Sequence, residues 1–329
     1  ASMADRSDKV TVRMLSMVIC VLSAGCSALL LLFSGQKLML SFLYMVLVVL
    51  LQTMMPLINA LGMECINLGI SVDFGFARGI GSLTFSILSL VIGNVLKGRN
   101  PDIIPMIIIG LYMFLFLGLI NFKFVSQKTE VPKDNIVAQK GFSEYLQKYR
   151  SFYISLVGVV LIFSSHIVLN NFLFQITTDI GGTSSQMGTA MAICAFIELP
   201  TMMFFFMIVG KIKCEGLIKI SAIFFTLKTF LTYFCSTISG LYLIQLTQLL
   251  GFALFTPASV YYVNKIMDED DKAKGQAFLT MAITAGGVVG NVFGGVAIDI
   301  FGVKPLLLIS AIGAAIGTAI IVVFIREQE

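Results

Sequence analysis

The segment MLSFLYMVLVVLLQ, which begins at Met39, carries no charged side chain and shows neither a polar stripe nor strict alternation. A surface helix would present a polar face at period 3.6 and a half-buried strand would alternate at period two. A run that is apolar on every side fits only surroundings that are apolar on every side. The hydrocarbon core of a bilayer is about 30 Å thick and takes about 20 helical residues to cross. Ten stretches of that length, bounded by charge, Gly or Pro, run roughly over 14–33, 38–61, 76–96, 103–122, 152–176, 187–209, 217–237, 240–264, 276–297 and 304–325. Membrane barrel strands are instead alternating segments of about ten residues. The reading is an all-α membrane protein.

Composition excludes the competing classes. Charged residues make up 12% of the chain, against about 25% in a soluble domain. Hydrophobic residues at 57% also exclude disorder, which needs low hydrophobicity and high net charge. The six Cys have no C-x-x-C or paired Cys/His spacing, so neither a disulfide scaffold nor a zinc site is expected. A phosphate loop, a zinc-protease helix and a nucleophile elbow are all missing, and no enzymatic activity or cofactor is expected.

The formal charge of +4 is less informative than where the cations fall. Successive loops lie on opposite sides of the bilayer, and loop by loop the Lys and Arg divide 16 against 4, with Arg78 and Lys228 left inside or near helices. The poor side holds Lys37, Lys97, Arg99 and Lys304. The positive-inside bias makes the rich side cytoplasmic, which puts both visible ends there. The polar stretch 123–150 carries six Lys or Arg and three Asp or Glu and reads as a linker between residues 1–122 and 151–329. The acidic run Asp268, Glu269, Asp270 and Asp271 reads as a solvated gate or surface loop. The bilayer is thus the first partner, and no nucleic-acid partner is expected.

The opening ASMADRSDKVTVRM resembles the loop between helices 2 and 3 of the major facilitator superfamily, through Asp5, Arg6 and Lys9. That placement implies that the visible spans are helices 3 to 12 of a twelve-helix transporter, lacking the first two, with the linker between helices 6 and 7. The segment SVDFGFARGIGS, through Asp73, Gly75, Ala77, Arg78 and Gly81, resembles the start of helix 5 in the lactose permease and related sugar and nucleoside proton symporters. The resemblance implies substrate contact for Arg78 and for Asn59, which stands where that group has a helix 4 Glu. It also implies sugar contacts and proton coupling on helices 8 to 10, where Glu198 and Lys228 occur. Leu250 and Ala253 stand at the helix 10 His and Glu positions of the group.

Physical reasoning singles out the same region. A charge at the bilayer centre costs about 2.5 to 3.5 kcal/mol on insertion scales, so it persists where it is paired or faces water. Glu198 and Lys228 are deep charges of opposite sign on successive helices. Their pairing would change when Glu198 takes a proton, which makes them a proton-coupling switch; the alternative is a static ion pair that locks helix packing. Arg78 is either a substrate contact or a side chain snorkelling to the interface. His166, the one His, lies one turn from Asn170, and serves either substrate and proton or packing. Asn170 with Asn171, and Gln245 with Gln248, either bind a hydroxylated ligand or join helices. Gly286, Gly290 and Gly294 share one helix face and allow close packing.

The expected function is proton-coupled symport of a small polar solute, a sugar, oligosaccharide or nucleoside, by alternating access in a monomer in the cell membrane. The alternative is a drug or metabolite exporter of the same superfamily, for which the 28 Phe and 17 Met would suit a promiscuous cavity.

Overall fold

The computed structural model describes residues 12–33, 35–67, 74–97, 102–121, 147–209, 211–268 and 271–325, and every regular element among them is helical. In chain order these are α1 (Val12–Leu32), α2 (Lys37–Asn67), α3 (Phe74–Val95), α4 (Ile103–Asn121), α5 (Arg150–Asn171), α6 (Leu173–Asp179) and α7 (Ser184–Met203). There follow α8 (Phe205–Val209), α9 (Cys214–Phe234), α10 (Ile238–Gln245), a 3₁₀ turn (Leu246–Leu249), α11 (Phe252–Ile266), α12 (Lys272–Phe301) and α13 (Val303–Phe324). Each predicted span falls on one or more of these helices. Among the described residues eight helical stretches are long and apolar enough to cross a bilayer, and Ile80–Val95 of α3 is a shorter apolar helix. The fold is all-α and multi-pass.

Helix contacts divide the chain into two units, 1–74 with 98–133 and 75–97 with 134–329. In the first unit α1 packs on both α2 and α4. The buried face of α1 is lined by Ser16, Cys20, Ser23 and Ser27, which brings backbones close in the way that small residues do between membrane helices. Cys26 closes the α1–α2 contact by donating its thiol to the Leu43 carbonyl at 3.2 Å. Arg13 donates to the carbonyls of Leu119 and Ile120, both at 2.8 Å, and so satisfies the exposed end of α4.

In the second unit α5 is the central helix and packs on α12 and α13. The glycines on α12 are what permit this: a Cβ on Gly286 would stand 2.7 Å from the Val160 carbonyl, and one on Gly290 would stand 2.5 Å from that of Ser164. Only a hydrogen fits in either place, so the packing role expected for this glycine face is what the structure contains. A similar closeness joins α3 to α7, where a Cβ on Gly93 would lie 2.9 Å from the Gly188 Cα. Two hydroxyls reinforce that seam, from Ser86 to the Ala192 carbonyl at 2.9 Å and from Ser185 to Asn94 Oδ1 at 2.6 Å.

Polar contacts fix the helix ends of this unit. Lys148 pairs with Asp268, and Tyr149, itself buried, donates to Asp271 and accepts the Asp268 backbone N–H. The described ends of the acidic run therefore hold the start of α5. Glu215 in the first turn of α9 pairs with Lys265 in the last turn of α11 at 2.8 Å. At the opposite end of α9, Lys304 donates to the carbonyls of Tyr233 and Cys235 at 3.0 and 3.1 Å.

Three predicted spans are interrupted: at Phe172 between α5 and α6, at Phe204 between α7 and α8, and over residues 246–251 between α10 and α11. The last interruption is the widest and lies inside a 29-residue apolar stretch, Ile238–Ile266. Non-helical backbone at that depth is tolerated where protein or a watery cavity satisfies its polar groups. Here α7 and α9 do so: Thr201 donates to the Leu249 carbonyl at 3.0 Å and Ser221 to that of Gly251 at 2.8 Å.

Candidate functional site

The two helices that hold the broken span also carry its charges. Glu198 precedes Thr201 by three residues on α7, and Lys228 follows Ser221 by seven on α9, so each charge shares a helix face with the hydroxyl that grips the break. The break supplies Gln248. Lys228 Nζ donates to Gln248 Oε1 at 2.7 Å, and Gln248 Nε2 donates to Glu198 Oε1 at 2.8 Å. The pairing expected between Glu198 and Lys228 thus runs through an amide. Lys228 and Gln248 are 3% and 2% exposed, while Glu198 is partly buried. A lysine in apolar surroundings is tolerable because its ammonium meets polar atoms. Cys194, one turn before Glu198, adds a sulfur 3.8 Å from Lys228 Nζ.

His166 occupies a neighbouring aromatic cage rather than this chain. Its ring stacks on Phe252 at 5.0 Å with planes 8° apart, and meets Phe225 edge-on at 5.2 Å and Phe163 at 6.0 Å. Asn170 lies 3.0 Å from Nε2, and Nδ1 is buried without a hydrogen-bond partner. Phe225 is one turn from Lys228 on α9, so the cage and the polar chain share a wall. Asn171 instead donates to Asn291 Oδ1 at 2.7 Å and joins α5 to α12, the helix-joining alternative for that residue. Gln245 is buried at the last residue of α10.

The structure therefore brings together Glu198, Lys228 and Gln248, sets His166 with Asn170 beside them, and places Asn171 on another helix contact. The side chains of Asn59 and Arg78, and residues Asp5, Arg6 and Lys9, lie outside those described. Sequence reasoning missed Cys194 and Asn291 and the phenylalanine cage. Cys194 had a usable signal, since it stands four residues from Glu198 and so on the same helix face. Asn291 had none, because its partner is 120 residues away.

Apolar helices enclosing a hydrogen-bonded chain of buried polar groups, with one span broken beside it, define a multi-pass membrane protein of the transporter kind. The chain belongs to the MFS_1 like family of the major facilitator superfamily, whose model matches residues 1–309. The members of this family are transporters, not enzymes. Over 262 residues the chain is 26% identical to the uncharacterized transporter YwbF of Bacillus subtilis, covering 78% of this chain and 63% of that protein. Over 146 residues it is 23% identical to a Deinococcus radiodurans protein provisionally named a sugar efflux transporter, covering 44% of this chain and 37% of that protein. The chain thus spans less than two thirds of the length of either relative. Among solved structures, the nucleoside transporter NupG matches with a TM-score of 0.74 at 14% identity, over 97% of this chain and 85% of the other. The E. coli fucose:proton symporter FucP matches with a TM-score of 0.52 at 15% identity, over 97% and 84%. At these identities the structural likeness shows the fold alone.

Proposed function

We propose that the protein is a secondary transporter that couples a proton to the uptake of a small polar solute, a sugar, oligosaccharide or nucleoside. The observation that carries this reading is the Lys228–Gln248–Glu198 chain, seated at a broken membrane helix. Broken helices in transporters mark ligand sites, because their freed polar groups need partners that a moving solute or ion can supply in turn. Glu198 is the proton carrier, since a carboxylate among buried neighbours can change charge at modest cost while Lys228 holds the chain's polarity. Residues 1–122 and 151–329, joined by the cytoplasmic linker 123–150, are the two bundles that expose the site alternately. Gln245, His166, Asn170, Asn59 and Arg78 are the further residues assigned to the solute, in a monomer whose visible ends both face the cytoplasm. The fold of a nucleoside transporter and of a proton symporter agrees with this assignment.

The test is uptake of labelled nucleosides and sugars into proteoliposomes holding the full-length protein, with and without an imposed pH gradient. The expected result is accumulation that collapses without the gradient and falls at least about tenfold in Glu198→Gln, while exchange of solute across the membrane persists. Uptake indifferent to both would remove the symport mechanism. The curated relative named for sugar efflux favours a second reading, export. Flux out of inside-acid vesicles against flux into them separates the two directions.

A further inference from the structure

The helices α9 and α13 run antiparallel, as their contacts record. Lys304 at the start of α13 bonds the carbonyls that close α9, and further along Thr318 donates to the Ala222 carbonyl at 2.7 Å and lies 2.8 Å from the Thr226 hydroxyl. At the Lys304 end, then, the lysine is satisfied by protein. The other end differs. Ile223, Leu227, Phe230 and Phe234 form an exposed stripe along α9, and in a membrane protein an exposed stripe of apolar side chains is the face that meets acyl chains. Lys219 stands on this stripe one turn before Ile223 and is half-buried. Its ammonium has no partner among the described residues. Glu215, four residues earlier and so spaced to pair with it, is buried and engaged by Lys265 at 2.8 Å instead. The loop that leads into α9 adds Lys211, exposed and likewise without a side-chain partner among the described residues, and next to it the exposed Ile212.

We propose that Lys211 and Lys219 hold the phosphate of an anionic phospholipid whose acyl chains lie along the outward stripe of α9. Side chains on a helix lean toward its N-terminus, so Lys219, about 7.5 Å along the axis from Cys214, carries its ammonium back toward the membrane surface while its stem covers apolar surface. Lys211 reaches the same level from the loop, and Ile212 beside it supplies an apolar anchor. The described charges at this corner are Lys211, Lys213, Lys219 and Lys265 against Glu215, an excess of positive charge. A zwitterionic lipid brings its own cation to such a corner and an anionic one does not. Each lysine near the surface favours the anionic lipid by about fivefold. The site is independent of the solute and of the direction of transport.

The 329 residues contain no Trp, so an indole placed on the stripe reports on the lipid beside it. Full-length Ile223→Trp is reconstituted in phosphatidylcholine vesicles, and its emission, less that of the parent protein, is quenched with dibrominated phosphatidylglycerol or dibrominated phosphatidylcholine. The expected result is a preference for the anionic lipid of at least about fivefold, weakening as salt is added. Adding Lys211→Gln and Lys219→Gln together removes that preference. Phe234→Trp, at the other end of the same helix, serves as the control, and there the two glutamine substitutions change nothing. Equal quenching by the two lipids at Ile223, a preference that survives the glutamine pair, or an equal change at Phe234 overturns the proposal. Thermal melting in detergent checks that each variant is folded, and where Ile223→Trp is not, Leu227→Trp on the same stripe decides.

Discussion

At the scale of single residues, His166 poses the sharpest question. One ring nitrogen lies beside Asn170, and the other is buried with no partner among phenylalanine rings. An orphaned polar atom in such surroundings opposes folding, and removing it relieves that cost. His166→Phe also strips Asn170 of its Nε2 partner, so stability is expected to fall by no more than about 1 to 3 kcal/mol, measured by thermal melting in detergent. A loss beyond about 3 kcal/mol would mean that Nδ1 has a partner in the membrane. If the variant keeps its stability and loses solute uptake, the bare nitrogen is a hydrogen bond kept for the solute. Lys228 and Glu198 could be singled out from composition alone, because a charge in an apolar run stands out. Their connection could not, since Gln248 lies 20 residues from one and 50 from the other.

At the scale of helices, the glycine face of α12 was legible because repetition every four residues has one simple meaning on a helix. The structure makes the consequence quantitative. Gly290→Leu forces a side chain into the Ser164 carbonyl and is expected to cost about 1 to 3 kcal/mol. Gly295, whose added Cβ would touch nothing within 4 Å, is expected to gain about 0.5 to 1 kcal/mol as Ala. Melting temperatures of the two variants check the pair. The break between α10 and α11 was not legible. Its residues, LTQLLG, contain one glycine and no proline, and the turn is held open by hydroxyls from α7 and α9. Tertiary contacts overrode a local sequence that reads as continuous helix. The acidic run was only half legible, since its charge marked a loop but not the lysine it holds. The Asp268 carboxylate and the Tyr149 hydroxyl hold the Lys148 ammonium above the ordinary lysine range. Because the folded value is the raised one, the stabilisation is fully present below lysine's unfolded value and fades as pH rises through the folded one. Asp268→Asn is thus expected to lower the melting temperature by a small amount that stays constant between about pH 6 and pH 9 and shrinks only in stronger alkali.

For the molecule as a whole, the number of helices and their apolar character were set by lipid, and lipid acts on stretches of sequence without reference to distant partners. That is why the spans were readable and the site only in outline. Orientation is a prediction of the same kind. A cysteine at Lys97 is expected to react with a membrane-impermeant thiol reagent in intact cells, and one at Lys213 only after permeabilisation; the opposite pattern would invert the topology. Lys304 shows how one charge can serve two scales. It is one of four cations on the sparsely charged side, and its ammonium is bound by the carbonyls that close α9. Those carbonyls belong to residues made some seventy positions earlier. The acceptors therefore precede their lysine in order of synthesis, and α13 enters the fold with a docking point at its leading end.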